Sequence, residues 1–310
     1  MHSRPSPSPS TRTVRVFHVD AFTHQKFTGN PATVVLDAEQ LTEAELLAIT
    51  RELSHGDSVA AYPPDADDHD LRARFFTPRG ETGFVGHATV ALHAARAALG
   101  LPLAGRQKQS AGLYEIRNRS RNGCTEILIS QPAPLLRGAL DARHVDPVLR
   151  ALTLTSADID PRCPITLAGA GSTRALIGIR SANRLAELEP DFTTLAALSP
   201  QVGAAGFLVF TLDSGIEDCL TEARMFCPAI GISEDPVSGN AHGLLGALLW
   251  QQRLIGSGTH DTAPAFVGAQ GHHIARAGTV AVSLSIDGGE IRGVTLGGTA
   301  VIVFATSITL

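Results

Sequence analysis

The chain has 310 residues, 44% of them hydrophobic, with a formal net charge of −5 and a pI near 6.2. That length admits one large domain or two of about 150 residues with buried cores, and the mild acidity excludes the basic field on which nucleic acids and anionic lipid surfaces depend. Four cysteines without a C-x-x-C pair are too few for a disulfide scaffold, so reduced thiols and a cytoplasmic setting are expected.

The opening MHSRPSPSPSTRT lacks the apolar stretch of a secretory signal and reads as a flexible tail over residues 1–13. No uncharged apolar window of about eighteen residues occurs, so no membrane span is expected. VRVFHVDAF (14–22) predicts a strand, followed by a Gly29-Asn30-Pro31 turn and the strand TVVL at 33–36. LTEAELLAITRELS (41–54) predicts a helix: Leu41, Leu46, Leu47, Ile49 and Leu53 share a stripe, Thr42 caps it, and Glu45 completes a capping box. Gly56 ends that helix, and SHGDSVAAY runs into a strand. Then come LRARFFT (71–77, strand), ATVALHAARAALG (88–100, helix closed by Gly100) and a hairpin at 114–130 turning on Asn122-Gly123. QPAPLLRG (131–138), with its two prolines, suits an interdomain linker.

The second half rhymes with the first. LIGIR (176–180), the helix DFTTLAALSP, the strands GFLVFTL and ARMFC, a turn at Gly239, a helix over 241–255 and a hairpin over 279–296 follow in order. ARFFTP at 73–78 is echoed by ARMFCP at 223–228, and each copy leads through a glycine turn into a helix. The expectation is a tandem duplication: an N-terminal lobe over 14–130, a C-terminal lobe over 139–298, and a last strand at 299–310 able to return to the first lobe.

Helix starts carry free N–H groups and partial positive charge, so two of them meeting across a cleft would form an anion pocket. Gly86 and Gly239 suit tight backbone geometry there, and Ala88 and Ala241 allow close approach. His87, at the first start, can donate to a ligand or relay protons; a lone histidine can equally be structural. Asp235 and Glu234 precede Pro236, and Asp57 follows a helix-ending glycine; each is either a turn former or a reactive acid.

Taken together, DAFTHQKFTGNPATVV, RELSHGDSVAAY, ARFFTPRGETGFVGHAT and MFCPAIGISEDPVSGNAHGLL resemble the PhzF-like family of phenazine-biosynthesis isomerases. The resemblance implies an α+β, diaminopimelate-epimerase-like fold: two similar lobes, each a curled, mostly antiparallel sheet around a central helix, with the active site between them. It implies a homodimer that moves a proton between carbons of a small cyclic carboxylate or amino acid, as in trans-2,3-dihydro-3-hydroxyanthranilate isomerisation, without a cofactor. By position, the family's catalytic Glu falls on Asp57, its Gly-His pair on Gly86 and His87, its Glu-Asp-Pro aspartate on Asp235, and its Gly-Ser pair on Gly239 and Asn240. Asp57 is one methylene, roughly 1.5 Å, shorter than the family's Glu.

Rival readings are fewer. Racemases of this fold use two thiols at the helix starts, where this chain has His87 and Asn240; Cys227 is expected to be a buried structural residue. No metal site is expected, since His272-His273 reads as an adjacent pair on a strand, pointing to opposite faces. Gly169-Ala170-Gly171-Ser172-Thr173-Arg174 has two glycines of a dinucleotide fingerprint without the third, and reads as a tight turn. A non-catalytic small-carboxylate-binding protein is the remaining alternative.

Overall fold

The computed structural model describes residues 11–53, 56–121, 123–170, 172–256 and 263–310. Most of the N-terminal tail, Asn122 of the expected hairpin turn and Gly171 lie outside the described residues. Among the described residues no helix is long and apolar enough to cross a membrane.

The first half contributes strands β1 (Thr13–Ala21), β2 (Asn30–Leu36), β3 (Asp57–Tyr62), β4 (Leu71–Thr77), β5 (Gly80–Thr82), β6 (Arg106–Gln109), β7 (Gly112–Arg121) and β8 (Cys124–Pro132), with helices α1 (Glu43–Glu52) and α2 (Gly86–Ala98). The second contributes β9 (Leu135–Ala139), β10 (Thr166–Ala170), β11 (Ser172–Ile179), β12 (Phe207–Thr211), β13 (Thr221–Cys227), β14 (Ile232–Asp235), β15 (Ala265–Gln270), β16 (Gly278–Asp287), β17 (Glu290–Gly298) and β18 (Ala300–Thr309). Its helices are α3 (Ala142–Ala151), α4 (Ala182–Ala186), α5 (Phe192–Val202) and α6 (Gly239–Gln251).

Local chemistry sets several of these boundaries. At α1 the capping box forms as expected: the Glu45 amide donates to the Thr42 hydroxyl at 3.3 Å, and the Thr42 amide donates back to the Glu45 carboxylate at 2.8 Å. The expected helices at 88–100 and 241–255 instead start two residues earlier, so Gly86-His87 and Gly239-Asn240 are the first helical residues themselves. The second also ends earlier, at Gln251, with Arg253 in the left-handed region. His272-His273 is not on a strand. β15 stops at Gln270 because Gly271 takes φ +85°, and the histidines enter a 3-10 turn.

The strands form one curled ribbon. On the first side the pairing runs β18–β1–β2–β3–β4–β6–β7–β8, with β5 hung on β4. Across the β8–β17 pair it continues β16–β15–β13–β12–β11–β10–β9, with β14 hung on β13. The same steps recur on each side, including the parallel pairs β2–β3 and β4–β6 against β11–β12 and β13–β15. Residues 131–138, read from the sequence as a linker, are largely strand: they finish β8 and begin β9, which crosses to pair with β10. β9 therefore does for the second side what β18 does for the first.

Each side wraps a buried helix. α2 packs on β1, β2, β3, β8 and β18, and α6 on β9, β10, β15, β16 and β17; the two helices also touch each other. Small residues permit the wrap: a Cβ on Gly246 would stand 3.0 Å from the Val282 side chain, and one on Gly243 3.2 Å from Leu296. The outer face is covered by α1 on the first side and by α3 and α5 on the second.

Candidate active site

Strand alternation decides where the candidate residues point. On β3, Val59 and Ala61 belong to the α2 core, whereas Ala60 and Tyr62 face α1. Asp57 shares the parity of Val59 and so looks inward, toward the start of α2. There His87 Nε2 lies 3.8 Å from Asp57 Oδ2, with 14% of the histidine side chain and 22% of the aspartate exposed. That separation exceeds a hydrogen bond and leaves room for a bridging group. His87 Nε2 is buried without a partner, and Asp57 accepts no hydrogen bond among the described residues.

The electrostatics follow from burial. Desolvation pushes the Asp57 carboxyl up to about 7, and the negative charge of Asp235 adds to the rise. Asp235, at the end of β14, is pushed up to about 6 by burial; the hydrogen bond from Asn30 and the positive charge of Arg174 pull the other way. His87 is lowered to about 4 by burial and is neutral at pH 7. Two acids from opposite sides of the ribbon are therefore coupled near neutrality around an uncharged imidazole.

Asn30 is the strut between the sides. Its Nδ2 donates to Asp235 Oδ1 at 2.8 Å and to the Val237 carbonyl at 2.8 Å, 205 and 207 positions along the chain. Gln270 completes the frame, donating to the Asp235 carbonyl at 2.6 Å and accepting from the Ser238 amide at 3.1 Å. The Asp20–Arg276 ion pair, 2.6 Å long, and the Arg276 hydrogen bond to the Gly29 carbonyl bind the approach to Asn30 to the second side.

The helix starts differ. Val85 gives α2 no side-chain cap, so the amides at Gly86, His87 and Ala88 lack that competitor. At α6, Ser238 Oγ accepts from the Ala241 amide at 3.4 Å, leaving Gly239 and Asn240 ahead of it. Neither glycine has positive φ. Gly239 is required by packing, since a Cβ would sit 2.9 Å from the Phe22 ring, but at Gly86 a Cβ would meet only the Phe84 ring at 3.7 Å. Tight turning thus explains neither residue. Ala88 and Ala241 are fully buried in the two cores, so only their backbones can serve a ligand.

Glu234 is taken up structurally: Arg224 grips it through two hydrogen bonds of 3.0 and 2.8 Å, and both side chains are only 9% exposed. Cys227 is buried, and its thiol is pushed up to about 12, which leaves it a poor base. Two hollows, of about 600 and 320 Å³, lie elsewhere, one beside Trp250 at the far end of α6 and one beside His24 and Cys124. Neither is lined by Asp57, His87 or Asp235. Raised acids and an unpaired imidazole mark chemistry, whereas empty volume alone does not. Sequence reading missed Asn30, Gln270 and Arg174; a polar residue opening the otherwise apolar β2 was the available signal for Asn30.

Known proteins resemble the chain over nearly its whole length. An uncharacterized isomerase of Escherichia coli K12 is 39% identical over 293 residues, covering 94% of this chain and 96% of its own. The crystal structure of a phenazine biosynthesis protein of the PhzF family from Bacillus anthracis covers 96% of this chain and all of its own, with TM-score 0.86 and 27% identity. A hydroxyproline epimerase from Agrobacterium vitis shares the fold at TM-score 0.62 and 13% identity, covering 96% of this chain and 93% of its own. Residues 19–306 match the phenazine biosynthesis-like protein family, PhzC-PhzF, and the chain belongs to that family of isomerase- and epimerase-type enzymes.

Proposed function

We propose that the chain moves a proton between carbons of a small cyclic or unsaturated carboxylate or amino acid, without a cofactor, with Asp57 as both base and acid. One observation carries this reading: the Asp57 carboxyl titrates near neutrality, has no hydrogen-bond partner among the described residues, and faces an unpaired His87 nitrogen. In the proposed step the Asp57 carboxylate takes a proton from an activated carbon, and the C–H electron pair passes into the conjugated system. The protonated acid then returns the proton at another carbon, restoring the carboxylate.

His87, being neutral, hydrogen-bonds the substrate rather than delivering the proton as an imidazolium. Asp235, largely ionised at pH 7, accepts from an amino or hydroxyl group of the substrate. The amides of Gly86, Ala88, Gly239 and Asn240 at the two helix starts receive its anionic end, with the Ala241 amide shared with Ser238. We infer further that the enzyme acts as a cytoplasmic homodimer, as the family resemblance implies; light scattering tests the assembly.

The decisive experiment incubates the protein with cyclic and aromatic amino-acid derivatives in D2O and reads loss of a carbon-bound proton by NMR. Wild type exchanges and Asp57→Asn does not. A wild type that binds without exchanging is a binding protein only, and full exchange by Asp57→Asn removes Asp57 from the mechanism.

A further inference from the structure

The Ser172-Thr173-Arg174 stretch, at the end of a hairpin that looked from its sequence like a plain tight turn, brings a cation to the site. On β11, Leu176 packs in the α6 core, while Ala175 and Ile177 face the α3 and α5 side. Arg174 has the parity of Leu176 and therefore faces α6. β11 pairs in parallel with β12 so that Ala175 stands opposite Phe207, and the Ala175 amide donates to the Gly206 carbonyl at 2.9 Å. Arg174 is thus level with Gly206. On the other edge of β12, Phe207 stands opposite Phe226 of β13, which puts Gly206 level with Cys227.

Gly206 gives β12 no side chain at this level, and the Cys227 and Met225 side chains fill the space instead. A Cβ there would lie 2.5 Å from Cys227 Sγ and 2.8 Å from Met225 Cε, so the position between Arg174 and Cys227 carries no side chain. The positive charge of the guanidinium acts on both Cys227 and Asp235. Its hydrogen bonds among the described residues use Nη1 alone, to the Ser172 hydroxyl and to the Thr173 carbonyl at 3.1 Å. Arg174 Nε is buried and has no partner. An orphaned buried guanidinium N–H is costly unless a ligand completes it.

The ribbon's internal symmetry shows why this arginine matters. Aligned on Phe76 and Phe226, the first-side register sets Ser58 opposite Phe76 and Asp57 opposite Ala32. Asp57 then corresponds to Gly206, and Ala32 to Arg174. The second side has given up the acid and placed an arginine one strand over, so each side offers one charged group of opposite sign from the same level of its sheet.

We propose that Arg174 joins the helix-start amides in binding the carboxylate of the substrate and sets the preference of the site for acids over neutral analogues. This deepens the proton-transfer reading and rests on it for the location of the site. A planar fork with open donors suits a carboxylate, and an anion entering beside Asp57 and Asp235 needs a cation to offset their repulsion.

The test uses the whole chain and two probes, anthranilate and anthranilamide, which differ in charge at one group, with calorimetry as the readout. Wild type binds anthranilate the more tightly. Arg174→Gln weakens anthranilate about 10- to 100-fold and leaves anthranilamide unchanged, while Arg174→Lys keeps part of the preference. Asp57→Asn loses exchange in D2O yet keeps the preference, so the two ideas fail separately. The inference is overturned if wild type shows no preference, if Arg174→Gln binds anthranilate as wild type does, or if both probes weaken together.

Discussion

The two sides of the ribbon share one clamp and differ in what stands beside it. Arg74 on β4 grips Glu81 of β5 through hydrogen bonds of 2.9 and 2.6 Å and lies over the Phe76 ring at 5.1 Å. Arg224 on β13 grips Glu234 of β14 in the same bidentate way and lies over the Phe226 ring, also at 5.1 Å. This clamp is what the repeated ARFFTP and ARMFCP phrases encode: it fixes the short hairpin strand that leads into each buried helix. One strand further in, the sides diverge, with Asp57 on the first and Gly206 on the second. The scaffold is duplicated and the charged groups are not, so on the proposed reading a substrate between the sides meets a different group on each flank.

The largest expected effect breaks the difference itself. Asp57→Asn should lower turnover by about 10³-fold or more, measured by deuterium exchange, with an unchanged circular dichroism spectrum. Arg224→Met should destabilise more than Arg74→Met. The second-side clamp is only 9% exposed on both partners, and its guanidinium also donates to the Leu185 and Leu188 carbonyls, so its loss should cost about 3 to 5 kcal/mol. The first-side clamp is 26% and 31% exposed and should cost about 1 kcal/mol. Urea unfolding of both variants measures the ratio, and equal costs would dissolve the distinction.

Smaller effects sharpen it. Gly206→Ala forces a methyl against Cys227 and Met225, for an expected loss of about 1 to 3 kcal/mol, again by urea unfolding. The stability of wild type relative to Asp57→Asn should depend on pH with a definite sign. The folded Asp57 titrates at about 7 against an ordinary aspartate value of 3.8, so between those values the folded chain holds the proton more tightly than the unfolded chain, and stability falls as pH rises. Asp57→Asn removes that loss: it should be about 4 kcal/mol more stable than wild type at pH 8 and no different at pH 3. Activity runs the opposite way, since kcat/KM should rise with pH through about 7 as the base ionises.

Much of this was legible because the signals were local. β4 fell at its expected limits, since LRARFFT alternates and carries β propensity throughout, and Thr42 with Glu45 announced the start of α1. The duplication was legible from a six-residue echo. What the local signals did not carry depended on partners distant in sequence. The 131–138 segment looks like a linker because its prolines break pattern, yet Leu135–Ala139 finds β10, a pairing no local rule encodes. The helix starts at Gly86 and Gly239 carried no side-chain signal at the glycine itself. Arg174 was hidden in a glycine-rich phrase because its meaning lies in its level with Gly206 and Cys227, visible only once three strands are in register.

The crossing of β18 onto β1 has a kinetic consequence. Thr13 and Thr309 are neighbours though 296 positions apart, so the first side's sheet keeps an open edge at β1 until a segment made long afterwards arrives to cover it. The half synthesised first therefore completes its structure last. Nascent chains of this protein should carry a sticky strand border for most of their synthesis, a period in which a chaperone has something definite to shield.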